Sequence, residues 1–374
     1  MAHAYTPGLK VVEYMTIRKD RRLPLPGEIL TEKGTEVKAE DVVAQTDLPG
    51  NVQTLNVAGR LGILPEEIEI SMLKKAGDEI RREEIIAESK GFFSLFKSQV
   101  RAPIDGIVES VSKITGQVIL REPPIRVKVN AYIDGTVVDV LGKEGVTIES
   151  YGSFIQGIFG VGGEVVGLIK MVVGSAGDPL TSSAIDENCH GKILIGGSGV
   201  DREAISKAAS VGALGIVVGG IDDRDLRGYL GYDIGVAITG QEDVPVTLII
   251  TEGFGSLRMA DRTFELLSRH EGMKASINGA TQIRAGVIRP EVIVPLERSG
   301  KKERETMVME RGLTIGMPVR IIREPYFGKL GRVAGLPVEL TDIETEAKVR
   351  VLEVELEDKT KVLLPRANVE IIEG

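Results

Sequence analysis

Gly34-Thr35-Glu36-Val37-Lys38-Ala39-Glu40-Asp41-Val42-Val43-Ala44 returns 43 residues later as Gly77-Asp78-Glu79-Ile80-Arg81-Arg82-Glu83-Glu84-Ile85-Ile86-Ala87. Charge class and branched apolar positions both repeat. Each copy reads as a glycine turn feeding a strand, and each is followed by a second turn, Pro49-Gly50 after the first and Pro103-Ile104-Asp105-Gly106 after the second. A duplicated β-unit is the expectation for this end of the chain.

From about Pro24 to Val140 these segments resemble the barrel-sandwich hybrid of lipoyl and biotinyl carrier domains. The halves of that family show a Gly-Asp-x-Val-x-x-Gly-x-x-Ile-Ala type strand and an Ala-Pro-x-Asp-Gly type turn. A carrier needs one lysine at a hairpin tip, because its cofactor is joined by an amide to that amine. Here Thr46-Asp47 is followed by Leu48, and the nearest lysines of the second copy, Lys90 and Lys97, sit in neither a Met-Lys-Met nor an Asp-Lys-Ala setting. The resemblance therefore implies a rigid β-scaffold that carries no cofactor. Between the landmarks lies Gly91-Phe92-Phe93-Ser94-Leu95-Phe96-Lys97, with three of the eight phenylalanines of the chain. Phe92, Phe93 and Phe96 form an apolar contact patch if the segment is a loop, and complete a core if it folds back.

The last sixty residues carry a second pattern. Gly316-Met317-Pro318-Val319-Arg320-Ile321-Ile322-Arg323-Glu324-Pro325-Tyr326-Phe327-Gly328-Lys329-Leu330-Gly331-Arg332-Val333 alternates apolar and charged residues around a glycine-rich turn, and further strands close on Pro365-Arg366-Ala367-Asn368. This resembles a KOW module, a small SH3-like curled β-barrel of transcription elongation factors and large-subunit ribosomal proteins. In that family the barrel binds RNA, ribosomal components or polymerase-associated proteins. The resemblance implies a contact surface at Arg320, Arg323, Tyr326, Phe327, Lys329 and Arg332, with arginines for phosphate or carboxylate and aromatic rings for stacking.

Charge limits that expectation. The chain carries a formal net charge of −9, and the stretch from Leu313 to Gly374 holds nine Lys plus Arg against eleven Asp plus Glu, so any contact with a polyanion has to be local. A protein or ribonucleoprotein assembly fits better than naked RNA. With 374 residues and 42% hydrophobic content the chain divides into several cores. One cysteine, no signal-like segment and no apolar run of about 18 residues point to a reducing cytoplasm and away from a membrane.

The middle of the chain changes character. Ile155 to Val173 is apolar and glycine-rich; Gly160-Val161-Gly162-Gly163 is followed by Glu164-Val165-Val166 and lacks the Lys-Ser/Thr of a phosphate loop, so turns and bulges in a packed sheet are expected. From Gly191 a strand, a helix capped by Asp201 and a second strand at Ile216-Val217-Val218 make a β-α-β unit. Val246 to Ile250 and a helix from Leu257 to Arg269 make another, and Asp222 to Tyr229 reads as a charged surface loop. The order loosely resembles protease-associated or swivelling β/α domains, which position or gate. Gly196-Gly197-Ser198-Gly199 offers backbone N–H groups to an anion, or else a tight strand-to-helix turn. Catalytic signals are sparse. His3 lies at the terminus, His270 follows a helix, and Asn188-Cys189-His190 is the one Cys/His juxtaposition, whose side chains point apart on an extended chain.

The sequence thus predicts a multidomain protein, mainly β with an α/β middle domain. The expected segments are a barrel-sandwich-like region over 1–140, a glycine-rich β extension over 141–176, an α/β domain over 177–290, a charged linker over 291–312 and a KOW-like barrel over 313–374. The expected function is that of a non-catalytic adaptor or scaffold. The alternatives are a self-assembling structural protein and an enzyme with a ligand site near Gly196 to Gly199, and a homo-oligomer is compatible with either.

Overall fold

The computed structural model describes residues 9–89, 98–232, 242–281, 288–297, 313–321, 325–326, 329–337, 340–342, 348–356 and 358–371. Sheets dominate it. The largest runs, in hydrogen-bonded order, through Phe159–Val161, Thr247–Phe254, Gly215–Ile221, Lys192–Ile195, Glu164–Met171, Lys274–Asn278, Glu291–Pro295, Gly145–Gln156, Gly135–Val140 and Glu36–Val37, and Val11–Arg22 pairs with Gly145–Gln156.

Four of these strands, from Glu164–Met171 to Thr247–Phe254, are mutually parallel. Lys192–Ile195, Gly215–Ile221 and Thr247–Phe254 are buried nearly throughout and read as short apolar runs, as strands covered on both faces must, whereas Glu164–Met171 keeps Glu164 and Leu168 exposed. Alternation sends Leu194, Ile216 and Leu248 into a core closed by Ile205 of the helix Arg202–Val211. It sends Ile193, Ile195, Val217 and Ile249 into a second core on the opposite face, closed by Leu266 and Leu267 of the helix Asp261–Arg269. Asp201 caps the first helix as the sequence predicts, its carboxylate accepting from the Ala204 N–H at 2.7 Å.

Three readings of the sequence change here. Asp223–Leu230 is a helix, not a surface loop, because Asp222 accepts from the Arg224 N–H at 2.9 Å and Leu226 is fully buried. The helix expected from Leu257 begins only at Asp261, because the N–H of Met259 is spent on Ala176 O at 3.1 Å. Glu291–Pro295, assigned to the charged linker, is an interior strand with Val292, Ile293 and Val294 fully buried. The strands of 141–176 lie inside the large sheet among strands from both neighbouring segments.

The repeat folds as two nested units. Val42–Leu48 pairs antiparallel with Ile125–Asn130, Leu48 opposite Ile125, so residues 49–124 are inserted at the tip of that hairpin. The inserted unit builds its own sheet, in the order Val52–Asn56, Gln117–Arg121, Gly106–Val111, Glu79–Ile80, and a hairpin of Ile85–Glu88 with Gln99–Arg101. Matching residues make matching bonds. The N–H groups of Gly34 and Gly77, at φ 93° and 94°, donate to Val137 O and Val108 O, each at 2.7 Å. The N–H of Ala39 donates to Asp134 Oδ1 and that of Arg82 to Asp105 Oδ1, at 2.7 and 2.9 Å. The first copy is therefore completed by Ala131-Tyr132-Ile133-Asp134-Gly135 and not by the Pro49-Gly50 turn that follows it. The second copy is completed by Ala102-Pro103-Ile104-Asp105-Gly106, as expected.

The C-terminal residues form a separate curled sheet of six strands around Val319, Ile321, Val333, Leu352, Val354 and Val369. Val319, Ile321 and Val333 face inward, as the alternation predicts. No helix among the described residues is long and apolar enough to cross a membrane.

Candidate contact surface of the C-terminal sheet

Pro318–Ile321 pairs antiparallel with Leu330–Gly335, Arg320 opposite Leu330 and Pro318 opposite Arg332. Opposed residues share a face, so Arg320 and Arg332 lie together on the outside of the curled sheet. Their environments nevertheless differ. Arg332 is exposed, with Nη1 donating to Gly316 O at 3.2 Å. Arg320 is only 3% exposed: it is ion-paired with Glu252, and its Nη1 donates to Thr251 O at 3.3 Å. Glu252 in turn accepts from the N–H of Ala260 at 3.1 Å. The outer face that carries Arg320 is thus docked on the α/β region, which withdraws Arg320 from the predicted contact surface. The sequence shows an arginine at an outward strand position; it does not show that another part of the chain covers it.

The turn itself is closed by the Lys329 N–H donating to Tyr326 O at 3.0 Å. Lys329 is exposed, with its ammonium 5.6 Å from the centre of the Tyr326 ring, and Tyr326 is half-buried against the core of this sheet. Asp358 lies close enough for the Lys329 charge to act on it; its carboxyl is held below the usual range first by the Thr360 N–H and then by smaller effects that include Lys329. Tyr326 and Lys329 therefore remain together at the turn, and Arg332 stands three residues along the strand with its guanidinium on Gly316 O. Arg323 and Phe327 lie outside the described residues, as do Phe92, Phe93 and Phe96.

The glycine cluster is not an open anion nest. The N–H groups of Gly197 and Ser198 both donate to Asp178 O, at 3.1 and 3.0 Å, and that of Gly196 to Val217 O at 2.9 Å. Gly199 lies in the ladder between Pro179–Leu180 and Gly215–Ile221. Glycine is required at 197 by close packing, since a Cβ there would stand 2.4 Å from Asp178 O. Of the two open alternatives, the tight turn is the one observed.

Two polar arrangements escape the sequence. Ser153 Oγ lies 2.7 Å from His270 Nε2, both buried, and Ser153 donates to Glu13 O at 2.7 Å. With its single hydroxyl proton spent there, Ser153 accepts from Nε2–H, and Nδ1 is left buried without a partner. Such a serine is not activated as a nucleophile. Burial, then Arg269, pushes the His270 pKa down. The second arrangement centres on Tyr132, whose OH donates to Glu291 Oε1 at 3.2 Å while Lys19 holds Oε2 at 2.5 Å. Arg21 lies over the Tyr132 ring at 5.2 Å and grips Glu164 with two bonds of 2.7 and 2.6 Å. Burial raises the phenol pKa well above its ordinary value, so Tyr132 is a donor and not a base. An open cleft of about 460 Å³ beside Arg21 is lined by charges that largely pair with one another.

Cys189 is buried with its thiol 3.6 Å from Asp186, whereas His190 turns away and its Nδ1 donates to Val211 O at 2.9 Å. Among the described residues no three His, Cys, Asp or Glu side chains converge to hold a metal ion. Neither a family model nor a curated protein sequence matches the chain.

Proposed function

We propose that the protein is a non-catalytic adaptor whose C-terminal sheet, read as a KOW-like barrel, engages a protein or ribonucleoprotein assembly. The N-terminal nested units, read as barrel-sandwich hybrids without a modified lysine, form the scaffold. The α/β region, read as a swivelling-type domain, is the platform on which the barrel is mounted.

The buried Arg320–Glu252 ion pair carries this reading. It seats one face of the C-terminal sheet on the rest of the molecule and leaves Lys329 and Arg332 exposed, with Tyr326 half-buried under Lys329. Lys329 and Arg332 supply two cations for carboxylate or phosphate, and Tyr326 supplies the edge of a ring. Two local cations on a chain of net charge −9 suit a partner that presents a discrete acidic site, and a ribonucleoprotein presents many.

The test is recovery of partners from native lysate on intact tagged protein and on the Lys329→Glu, Arg332→Glu double variant, each with and without RNase. Both side chains are exposed, so the variant keeps its fold. Loss of a specific set of partners from the variant supports the reading, and RNase sensitivity of that set identifies a ribonucleoprotein. An unchanged set of partners contradicts it.

A further inference from the structure

The inserted unit, residues 49–124, makes up about a fifth of the chain. It contributes six of the sixteen large apolar side chains exposed among the described residues: Val52, Leu64, Ile70, Leu73, Ile107 and Ile114. That concentration marks the unit as the part of the surface with most to gain from being covered.

Its outermost strand, Val52–Asn56, hydrogen-bonds along Gln117–Arg121 on one side and, among the described residues, has no strand on the other. Val52, Gln53 and Thr54 are exposed one after another. In a strand with one covered face alternate residues are hidden, so three consecutive exposed positions mean that the edge itself is open. Sheet edges in monomers are guarded by charge, proline or bulges. Three other edges among the described residues follow that rule: Ile125–Asn130 carries Arg126 and Lys128, Lys361–Pro365 carries its lysine and proline, and Val11–Arg22 has a bulge and five charged residues from Arg18 to Arg22. Asn51 to Asn56 has none of these devices.

We propose that Val52–Asn56 is a dimerisation edge that pairs antiparallel with the same strand of a second copy of this chain. The absence of charge is what selects a second copy. Centred on Thr54, the pairing sets Thr54 against the partner's Thr54, Gln53 against the partner's Leu55 and Val52 against the partner's Asn56, with no like charges opposed. A two-fold axis normal to the sheet keeps the same face outward in both copies, so two four-stranded sheets join into one of eight strands. On that face Val52, Arg121 and Ile107 stand side by side in one row, with Thr54 and Ile119 in the next. Across the axis the Thr54 row meets its own copy, which lines up Ile119 and Thr54 of both chains, and the Val52 row meets the uncharged Asn56 and Gln117 of the second copy. This interface lies in the N-terminal part of the chain and does not depend on the C-terminal reading.

The test is sedimentation equilibrium of the full chain at micromolar concentration, for wild type, Thr54→Lys, Thr54→Glu and an equimolar mixture of the two variants. Thr54 is exposed, and circular dichroism checks that each variant keeps its fold. The expected result is a wild-type dimer, self-association weakened at least about tenfold in each charged variant by like charges facing across the axis, and recovery of the dimer in the mixture. A monomeric wild type overturns the proposal. So does a dimer that persists in both charged variants, because it assembles through another surface.

Discussion

Tyr132 is held at φ 70°, a left-handed backbone that a bulky side chain adopts only under constraint. Its N–H donates to Ala39 O at 2.8 Å, and its carbonyl accepts from Ser276 Oγ at 2.5 Å. The ring lies between Arg21 and the buried carboxylate of Glu291. Tyr132 therefore ties the outer copy of the repeat to the large sheet. Removing its hydroxyl leaves Glu291 one donor short, and Tyr132→Phe is predicted to lower unfolding stability by about 1–2 kcal/mol in urea titration. His270 gives the pH counterpart. Its folded pKa lies below its unfolded value of about 6.5, so the unfolded chain binds a proton first on acidification. The contribution of His270 is fully present above that pH and is lost as pH falls through it toward the folded pKa. The predicted outcome is a urea midpoint that falls between pH 7.5 and pH 5 in wild type by more than in His270→Gln. Equal falls would show that groups other than His270 carry the acid sensitivity.

At the scale of elements, the two copies of the repeat are predicted to respond alike. Gly34 and Gly77 both occupy left-handed backbone with nothing within 4 Å of an added Cβ. Gly34→Ala and Gly77→Ala are then each predicted to cost about 1–2 kcal/mol, from backbone strain alone. Gly197→Ala meets carbonyl oxygens at 2.4 and 2.5 Å and is predicted to cost more than either. Thermal melts of the three variants measure this directly. The repeat was legible in the sequence because its signal is local: a glycine, a charge pattern and a branched run within eleven residues. Its completion was not, because Asp134-Gly135 lies across the whole inserted unit from Gly34, and Pro49-Gly50 offered a nearer turn. The parallel strands were legible as apolar runs. The helix at Asp223 was not, because its charged residues outnumber its one fully buried side chain, Leu226.

For the whole molecule, the decisive contact joins distant parts of the chain. A buried guanidinium and carboxylate are each costly to desolvate and stable only together. Glu252→Gln is predicted to weaken docking of the C-terminal sheet by about 3 kcal/mol and to enlarge the radius of gyration in small-angle scattering. An unchanged radius would show that other contacts hold the sheet. This pairing also explains the part of the contact surface that sequence could not resolve. Arg320 and Arg332 occupy equivalent outward positions, and only the fold distinguishes the anchor from the exposed cation.

The adaptor reading rests on the Tyr326–Lys329 turn and the exposed Arg332 beyond it, and the decisive measurement is photo-crosslinking from an amino acid placed at position 326 of the full chain and activated in native lysate. The same probe at the exposed Leu168 serves as control. The expected result is a discrete adduct with another protein or an RNA at 326 that is lost when Lys329 and Arg332 are reversed in charge. No adduct at 326, or the same adducts at 168, would contradict it.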